Sequence, residues 1–451
     1  MSLIQKYNIP APRYTSYPTV PYWDSDTFSD AGWMATAVRA FSESNESEGI
    51  SLYIHLPFCE SLCTFCGCNK RITRNHSVEE PYLEAVLTEW EMYCEQLPAA
   101  PIIRDLHIGG GSPTFFSPAN LQRLMEGILS RGERHPNASF SFEASPATIE
   151  KEHLTTLAKL GFDRVSFGIQ DFDPRVQEAI NRIQPFAMVE VATKWAREAG
   201  YRSINFDVIY GLPFQNEDSI NDTFAKIRQL RPDRIAYYSY AHVPWIKGNG
   251  QRKFSEMDLP HNEQKRRLYE IGGEHLREMG YVEIGMDHFA LPEDSLYQAV
   301  QKGTLHRNFM GYVEDRTDLM IGLGVSAISD SWYGFAQNEK KLEDYYARIE
   351  AREIPVFRGH MLSEIDLRLR QHILDLMCRF ETNWLLCHKC PELQASLQRL
   401  AEPITDGLVE LMPAHLRVKE AGKPFIRNIC MAFDARLWAS KPESQLFSMS
   451  I

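Results

Sequence analysis

Long apolar runs are missing from this chain of 451 residues. The longest candidate, residues 319–328, contains two glycines and a serine and falls well short of the roughly 20 apolar residues that a membrane helix needs. A membrane span is therefore not expected. An excess of basic charge is missing too: 48 Lys and Arg stand against 60 Asp and Glu, a net charge of −12, which argues against a protein that wraps nucleic acid. No low-complexity tract, charge block or close repeat is present, so fibrous and disordered classes are excluded. The N-terminus lacks the basic flank and apolar core of a secretory signal, so a cytoplasmic and reducing setting without disulfides is expected. Cysteine is sparse over most of the length, with Cys94, Cys378, Cys387, Cys390 and Cys430 scattered.

The remaining cysteines, Cys59, Cys63, Cys66 and Cys68, fall within ten residues. Around them the chain has a clear rhythm. From Ser51 to Tyr240, short β-rich runs alternate with amphipathic helical stretches, which predicts a parallel sheet. Strands are expected at 51–56, 104–108, 139–143, 164–169, 203–209 and 234–239, and helices at 80–96, 118–130, 148–160, 186–198 and 216–230. Six βα units can build an open doubly wound sheet or a partial barrel. The end of each expected strand carries an unusual residue: His55 before the cysteines, Gly109-Gly110-Gly111, Glu143, Gln170, Asp207 and Tyr240-Ala241-His242. In βα barrels that face bears the active site, so a partial barrel is preferred. A helix at 261–279 and a strand-like piece at 281–286 follow, and from Leu362 a helix-rich segment reads as a separate C-terminal domain. The expected division is 1–50 as an extension or lid, 51–360 as the catalytic barrel and 361–451 as the C-terminal domain.

Cys59, Cys63 and Cys66 form a C-x3-C-x2-C pattern on a loop after a strand, which suits an iron–sulfur cluster or zinc. A closed structural zinc site would more naturally bring four ligands in paired knuckles, whereas three thiolates leave one cluster iron open to a small-molecule ligand. The Cys387-His388-Lys389-Cys390 quartet lacks a second pair and reads as incidental.

The run Tyr53-Ile54-His55-Leu56-Pro57-Phe58-Cys59, followed by Cys63, Cys66, Gly67 and Cys68, resembles the oxygen-independent coproporphyrinogen III oxidases (coproporphyrinogen dehydrogenases) of the radical S-adenosylmethionine (SAM) superfamily. The likeness runs from Pro12-Arg13-Tyr14-Thr15-Ser16-Tyr17-Pro18-Thr19 through Gly109-Gly110-Gly111-Ser112-Pro113-Thr114, 205–213 and 285–290 to Arg427-Asn428-Ile429-Cys430-Met431. It implies a partial (β/α)6 radical SAM barrel with an N-terminal extension and a mostly helical C-terminal domain. It also implies a [4Fe-4S] cluster on Cys59, Cys63 and Cys66, with Cys68 not a ligand.

By resemblance, Gly110, Gly111, Ser112, Glu143, Gln170, Arg182 and Asp207 bind SAM, with Asp207 on the ribose and Arg182 on the methionine carboxylate. Tyr53 and His55 are the implied catalytic pair. A second SAM would lie beside Tyr53, Gly111, Ala241, Phe309 and Ile328. The chain departs from the family pattern at Met310, where a glutamine is usual, and at Ser145, where an aspartate is usual. The implied activity is oxidative decarboxylation of two propionates of coproporphyrinogen III to vinyl groups by a SAM-derived 5′-deoxyadenosyl radical, giving protoporphyrinogen IX in haem biosynthesis. A monomer is expected, with a small electron-donor protein such as flavodoxin or ferredoxin as partner. Lys70, Arg71, Arg74, His242, His288 and Arg307 are candidate cations for the substrate carboxylates, and Arg13, Tyr14 and Tyr17 belong to a candidate cover. Alternative readings are a haem-binding chaperone of the same family and a radical SAM enzyme for another tetrapyrrole.

Overall fold

The computed structural model describes residues 2–26, 28–242, 251, 254–385, 390–440 and 446–450. Six parallel strands form its centre: β1 (Ile50–Leu56), β2 (Ile102–Gly110), β3 (Glu133–Ala144), β4 (Phe162–Gln170), β5 (Ser203–Tyr210) and β6 (Arg234–Ser239), hydrogen-bonded in that order. Each matches an expected strand, although β3 begins at Glu133 rather than Ser139. The connecting helices Glu79–Gln96, Pro118–Leu129, Lys151–Lys159, Phe186–Glu198 and Glu217–Leu230 also lie where the periodicity predicts them.

Strand order decides what periodicity left open. A doubly wound sheet reverses direction part-way and so carries helices on both faces. Six units added in one direction by right-handed crossovers put every helix on the same face, and the twisted sheet curls around the other. The barrel stays open because β1 and β6 do not pair with each other. Beside β1 lies β9 (Leu319–Leu323) in parallel, then the antiparallel β10 (Ile328–Ser331), β11 (Gly334–Asn338) and β12 (Val356–Met361). Beside β6 lies the antiparallel hairpin of β8 (His288–Ala290) and β7 (Val282–Gly285).

Parallel strands covered on both faces usually read as unbroken apolar runs. These strands alternate instead. Leu52, Ile54, Leu106, Ile108, Phe140, Phe142, Val165, Phe167, Ile204 and Phe206 are fully buried in the core beneath the helices. Each such side chain stabilises the fold by about 1.5–3 kcal/mol relative to exposure. The residues between them alternate to the lumen, and the register sets Tyr53 beside His107, His107 beside Ser141, Glu143 beside Ser166, and Ser166 beside Asn205. A parallel barrel with one polar wall gives up apolar burial there, which is sensible only if the lumen receives a polar ligand.

From Leu362 the chain is mostly helical, as expected, but it encloses a three-stranded antiparallel sheet of Glu381–Asn383, Val409–Met412 and His415–Val418. Strands of three or four residues carry too few alternations to be read from a sequence. Of the Cys387/Cys390 pair, Cys387 lies outside the described residues and Cys390 immediately precedes the helix Pro391–Arg399 without a side-chain capping bond. The N-terminal 50 residues divide between two cores. Tyr7, Tyr14 and Tyr17 pack with Leu369, Leu376, Leu416 and Phe433 of the C-terminal segment, whereas Trp33, Ala37 and Phe41 of the helix Asp30–Ser44 join the barrel core. The Arg-Asn-Ile-Cys-Met motif holds the N-terminal strap: Arg427 donates to the carbonyls of Ala11 and Pro12, and Asn428 Nδ2 to that of Tyr7 at 2.9 Å. Among the described residues no helix is long and apolar enough to cross a membrane.

Candidate active site

After Leu56 the chain leaves the barrel mouth into the cysteine loop. The base of the loop is tied by a short parallel pairing of Phe58–Cys59 with Arg71–Ile72, and the Thr73 amide donates to the Cys59 carbonyl at 2.9 Å. Its far side is bonded to the segment after β4: the Thr64 amide reaches the Ile180 carbonyl at 3.0 Å, and Asn181 Nδ2 that of Leu62 at 2.8 Å. Arg182 Nη1 stands 3.5 Å from Cys63 Sγ while its Nη2 donates to the Gly168 carbonyl at 2.9 Å. Lys70 Nζ donates to the carbonyls of Cys66 and Cys68.

Burial and the neighbouring sulfurs of Cys66 and Cys63 push the Cys59 thiol up to about 12. The hydrogen bond from Cys68, with help from Lys70, pulls Cys66 down to about 6 and correspondingly keeps Cys68 protonated. Cys68 thus acts as a donor to a ligand-type thiolate. Among the described residues no three His, Cys, Asp or Glu side chains converge on one point as a single ion requires. A four-iron cluster differs in holding its thiolates apart, each on its own iron.

The glycine turn is built against β1. Gly110 has φ +114°, and a Cβ there would stand 2.6 Å from His55 Cε1; a Cβ on Gly111 would stand 2.7 Å from the Pro57 carbonyl. The amides of this turn are used within the protein. The amides of Gly111 and Ser112 donate to Leu56 and Phe58 at 2.8 and 3.0 Å, and that of Gly110 to Glu143 Oε2 at 3.2 Å. The glycines therefore act by leaving room. Ser112 Oγ joins a hydroxyl cluster with Thr114 and Thr148.

His55 is the hinge between turn and loop. Its Nε2 lies 2.9 Å from the Asn69 carbonyl and must carry the proton, because a carbonyl only accepts; Nδ1, 3.0 Å from Tyr53 Oη, then accepts from the phenol. Burial lowers the His55 pKa and keeps that neutral tautomer. The Tyr53 ring stacks on His107 with centroids 6.1 Å apart. His107 in turn bonds Ser141 at 2.8 Å through Nδ1 and approaches Glu143 Oε1 at 3.5 Å through Nε2.

Two carboxylates face the lumen, and their pKa values are shifted in opposite directions. For Glu143, with 44% of its side chain exposed, burial raises the pKa, but His107 and the Gly110 amide outweigh it and hold the group below its ordinary value. Asp207 accepts only from neutral donors, Ser166 Oγ at 3.0 Å and Asn205 Nδ2 at 2.9 Å, and makes no ion pair among the described residues. Burial, then the charge of Glu143, pushes it up to about 6. Gln170, buried at φ +66°, closes β4; a Cβ on Gly168 would come within 2.7 Å of Gln170 Nε2 and 2.9 Å of Arg182 Nη2, so that glycine lets both side chains cross the strand.

Glu143 and Asp207 share a cavity of about 250 Å³ with His107, Ser166, Asn205, Tyr238, His288 and Met310. His107, Ser166, Asn205 and Tyr238 escaped the sequence reading; their signal was polar alternation inside otherwise apolar strands. The second set of residues is more dispersed. Phe309 packs edge-on against Trp23 and Phe335, Ala241 is exposed with its carbonyl bonded to Gln251, and Ile328 opens β10. No hydrogen bond or ring contact joins these three to Tyr53 or Gly111 among the described residues. Of the candidate cations, Arg71 is 61% exposed and pairs with Glu343 outside the barrel. Arg307 is buried over the Tyr312 ring at 4.5 Å, with Nε and Nη1 meeting no acceptor. His288 is pushed down to about 3 by burial and Arg307, so it is neutral.

Three thiols on one loop, one of them beside a guanidinium, a turn kept free of side chains, and a half-buried carboxylate bonded by neutral groups fit an iron–sulfur cluster with a polar, hydroxyl-bearing cofactor next to it. The family model of the Radical SAM superfamily matches residues 53–227. Over its full length the chain is 38% identical to the oxygen-independent coproporphyrinogen III oxidase of Synechocystis sp., covering 97% of that protein, and 39% identical to that of Salmonella typhimurium, covering 98%. A solved structure of coproporphyrinogen III oxidase from Escherichia coli, described as a radical SAM enzyme, matches with a TM-score of 0.88 at 37% identity, over 94% of this chain and 97% of that one.

Proposed function

This chain belongs to the family of oxygen-independent coproporphyrinogen III oxidases, and from that membership and the lumen geometry we propose how its residues divide the work. The chain is a radical SAM oxidoreductase that uses a [4Fe-4S] cluster and SAM for the anaerobic oxidation of coproporphyrinogen III. When bound, the cluster and SAM would supply one-electron reduction and hydrogen abstraction at a propionate side chain, which would become a vinyl group as carbon dioxide leaves and one electron passes to an external acceptor.

Cys59, Cys63 and Cys66 hold the cluster, and the Arg182 guanidinium beside Cys63 lies where it can also meet a carboxylate. Gly110 and Gly111 leave the space in which the amino-acid end of SAM lies, with Ser112 and Gln170 at its edges. Glu143, kept ionised, suits an ammonium; Asp207 suits two hydroxyl donors of a ribose. Tyr53 and His55 form the catalytic wall, with His55 fixing the distance between the cysteine loop and the glycine turn. A second SAM lies toward Gly111, Ala241, Phe309 and Ile328, where Met310 offers a thioether to the cavity in place of an amide.

Closing the lumen excludes water around a radical that attacks nearby C–H bonds. The strap bearing Arg13, Tyr14 and Tyr17 is its cover: Arg13 pairs with Asp287 and lies over the ring of Tyr238, which lines the cavity. In this reading residues 1–50 are the extension, 51–360 the barrel and 361–451 the C-terminal domain of a cytoplasmic monomer. Its electron comes from a small donor protein such as flavodoxin or ferredoxin.

The convergence of the cysteine loop, the glycine turn, Glu143 and Asp207 at one barrel mouth carries this assignment. An anaerobic assay with reconstituted protein, reductant, SAM and coproporphyrinogen III tests it by chromatography of porphyrins and 5′-deoxyadenosine. Both products form with the native chain and neither with Cys66→Ala. An intact, reducible cluster that yields no decarboxylated porphyrin overturns it. Equilibrium dialysis with labelled SAM reads the number bound, two in this proposal.

A further inference from the structure

We infer that the outer face of the cysteine loop is the docking surface for an acidic, flavodoxin-type electron carrier. The inference rests on the oxidase reading, in which an electron must reach the cluster from outside. The inner side of the loop faces the lumen, where cofactor and substrate lie, so a protein can approach only from the other side.

That side carries exposed apolar side chains. Ile72, 42% exposed, is on the strand segment that pairs with Cys59 across the base of the loop, and Ile183, 57% exposed, follows Arg182, whose guanidinium reaches Cys63 Sγ. A cationic rim lies next to them. Arg71 and Arg74 are exposed, and Arg74 makes no ion pair among the described residues. Asn69 Nδ2 donates to the Lys340 carbonyl at 2.9 Å, which brings exposed Lys340 and Lys341 alongside. Glu343, 3.3 Å from Arg71, and Asp344, 3.6 Å from Lys341, offset part of this charge, as does Glu60, exposed beside Cys59 and 3.7 Å from His76.

On a chain of net charge −12, a loop surface where Lys70, Arg71, Arg74, Lys340 and Lys341 outnumber Glu60, Glu343 and Asp344 is a local reversal of field, and such a reversal steers an acidic partner. Exposed apolar side chains beside a charged rim match the anatomy of a protein interface, and here they suit the apolar ring edge that a flavin exposes within an acidic surround. The backbone ties at both ends of the loop keep the surface rigid, so docking needs little reordering. One electron passes from the reduced flavin, which is oxidised by one, to the cluster, which is reduced by one; no atom is transferred.

The test uses cluster-loaded enzyme and a reduced flavodoxin, with the dissociation constant read by titration and cluster reduction by stopped-flow absorbance. For the native chain, the reduction rate falls about tenfold as salt rises from about 0.02 to 0.3 M. The variant Arg71→Glu/Arg74→Glu weakens binding and slows reduction by about tenfold at low salt and flattens the salt dependence. Reduction by photoreduced deazariboflavin, a small uncharged donor, stays unchanged. If iron analysis shows that this variant holds less cluster, Lys340→Glu/Lys341→Glu, outside the loop, gives the same reading. Unchanged affinity and rate in cluster-bearing variants overturn the inference, as does a native rate insensitive to salt. A ferredoxin-type protein that binds more than tenfold better overturns the choice of carrier. Failure of the oxidase reading is separate: it shows as absence of decarboxylated porphyrin when deazariboflavin supplies the electrons.

Discussion

The cysteine loop and the strand wall that it overhangs are built in opposite ways. The loop contributes little to the core; it is held by backbone bonds at Cys59, Leu62 and Thr64, and its cysteine side chains remain half-exposed or exposed. The wall is held by its outward apolar face, while its inward polar groups hold one another, Tyr53 to His55, His107 to Glu143, Ser166 and Asn205 to Asp207. The contrast teaches that a redox site needs placed sulfurs with little packing around them, whereas a cofactor site needs side chains preorganised by packing from behind.

The largest expected effect breaks the loop and spares the wall. Cys66→Ala abolishes cluster binding and turnover while the unloaded protein melts within a few degrees of the native chain, because almost no core is lost. Iron analysis with a thermal melt reads both; a large drop in Tm would mean that the loop is part of the core after all.

Next in size is a change where the two regions meet. Gly110→Ala puts a methyl at φ +114° against a His55 ring that is anchored at both nitrogens, so it costs about 2–4 kcal/mol and lowers Tm accordingly. The same substitution at Gly200, which has φ +91° but nothing within 4 Å of an added Cβ, costs only the backbone strain and serves as the control.

Asp207→Asn separates function from stability within the wall. Losing the carboxylate weakens SAM binding by about 10- to 100-fold, the value of one or two charged hydrogen bonds. The unloaded protein should nevertheless gain stability at neutral pH. Its folded-state pKa, about 6, lies above the ordinary 3.8, so Asp207 contributes stability that is full below about 4 and lost as pH rises through 6. The loss is at most about 3 kcal/mol. Melting curves of native and variant protein from pH 4 to 8 should therefore diverge above pH 6 in favour of the variant, and SAM affinity of the native chain should rise over the same interval. Parallel curves would show that Asp207 is not held in an uncompensated site.

His107→Gln keeps a donor but removes the ring under Tyr53, and a several-fold loss of SAM affinity is expected, with Glu143 titrating closer to its ordinary value. Smallest of all, Ile183→Ser, in the exposed segment after β4 that is bonded to the loop, changes stability by no more than about 0.5 kcal/mol. A larger change there would show that this isoleucine is packed rather than presented.

Much of this contrast is visible in the sequence, but unevenly. The six strands, their helices and the residues at strand ends are legible because hydrophobic period and turn residues are local signals. The cysteine spacing is legible for the same reason. The inward polar residues His107, Ser166 and Asn205 were present as alternation, yet alternation in a parallel strand has meaning only once both faces are known. Three-residue strands such as Glu381–Asn383 carry no readable period. Arg71, next to the cysteines, reads equally well as a substrate cation or as part of a solvated basic loop, and its partner Glu343 is far away in the chain and adjacent in space.

The sequence by itself determined the class of chemistry, the βα order and the residues available at the barrel mouth, since each depends on neighbours within a few positions. Only the tertiary structure decided that the sheet winds in one direction, that the glycine amides are used within the protein, that Asp207 is bonded by the neutral donors Ser166 and Asn205 and that Arg71 pairs with Glu343. Each of these is set by strand register and by contacts between distant segments, and those energies belong to packing, which no local pattern contains.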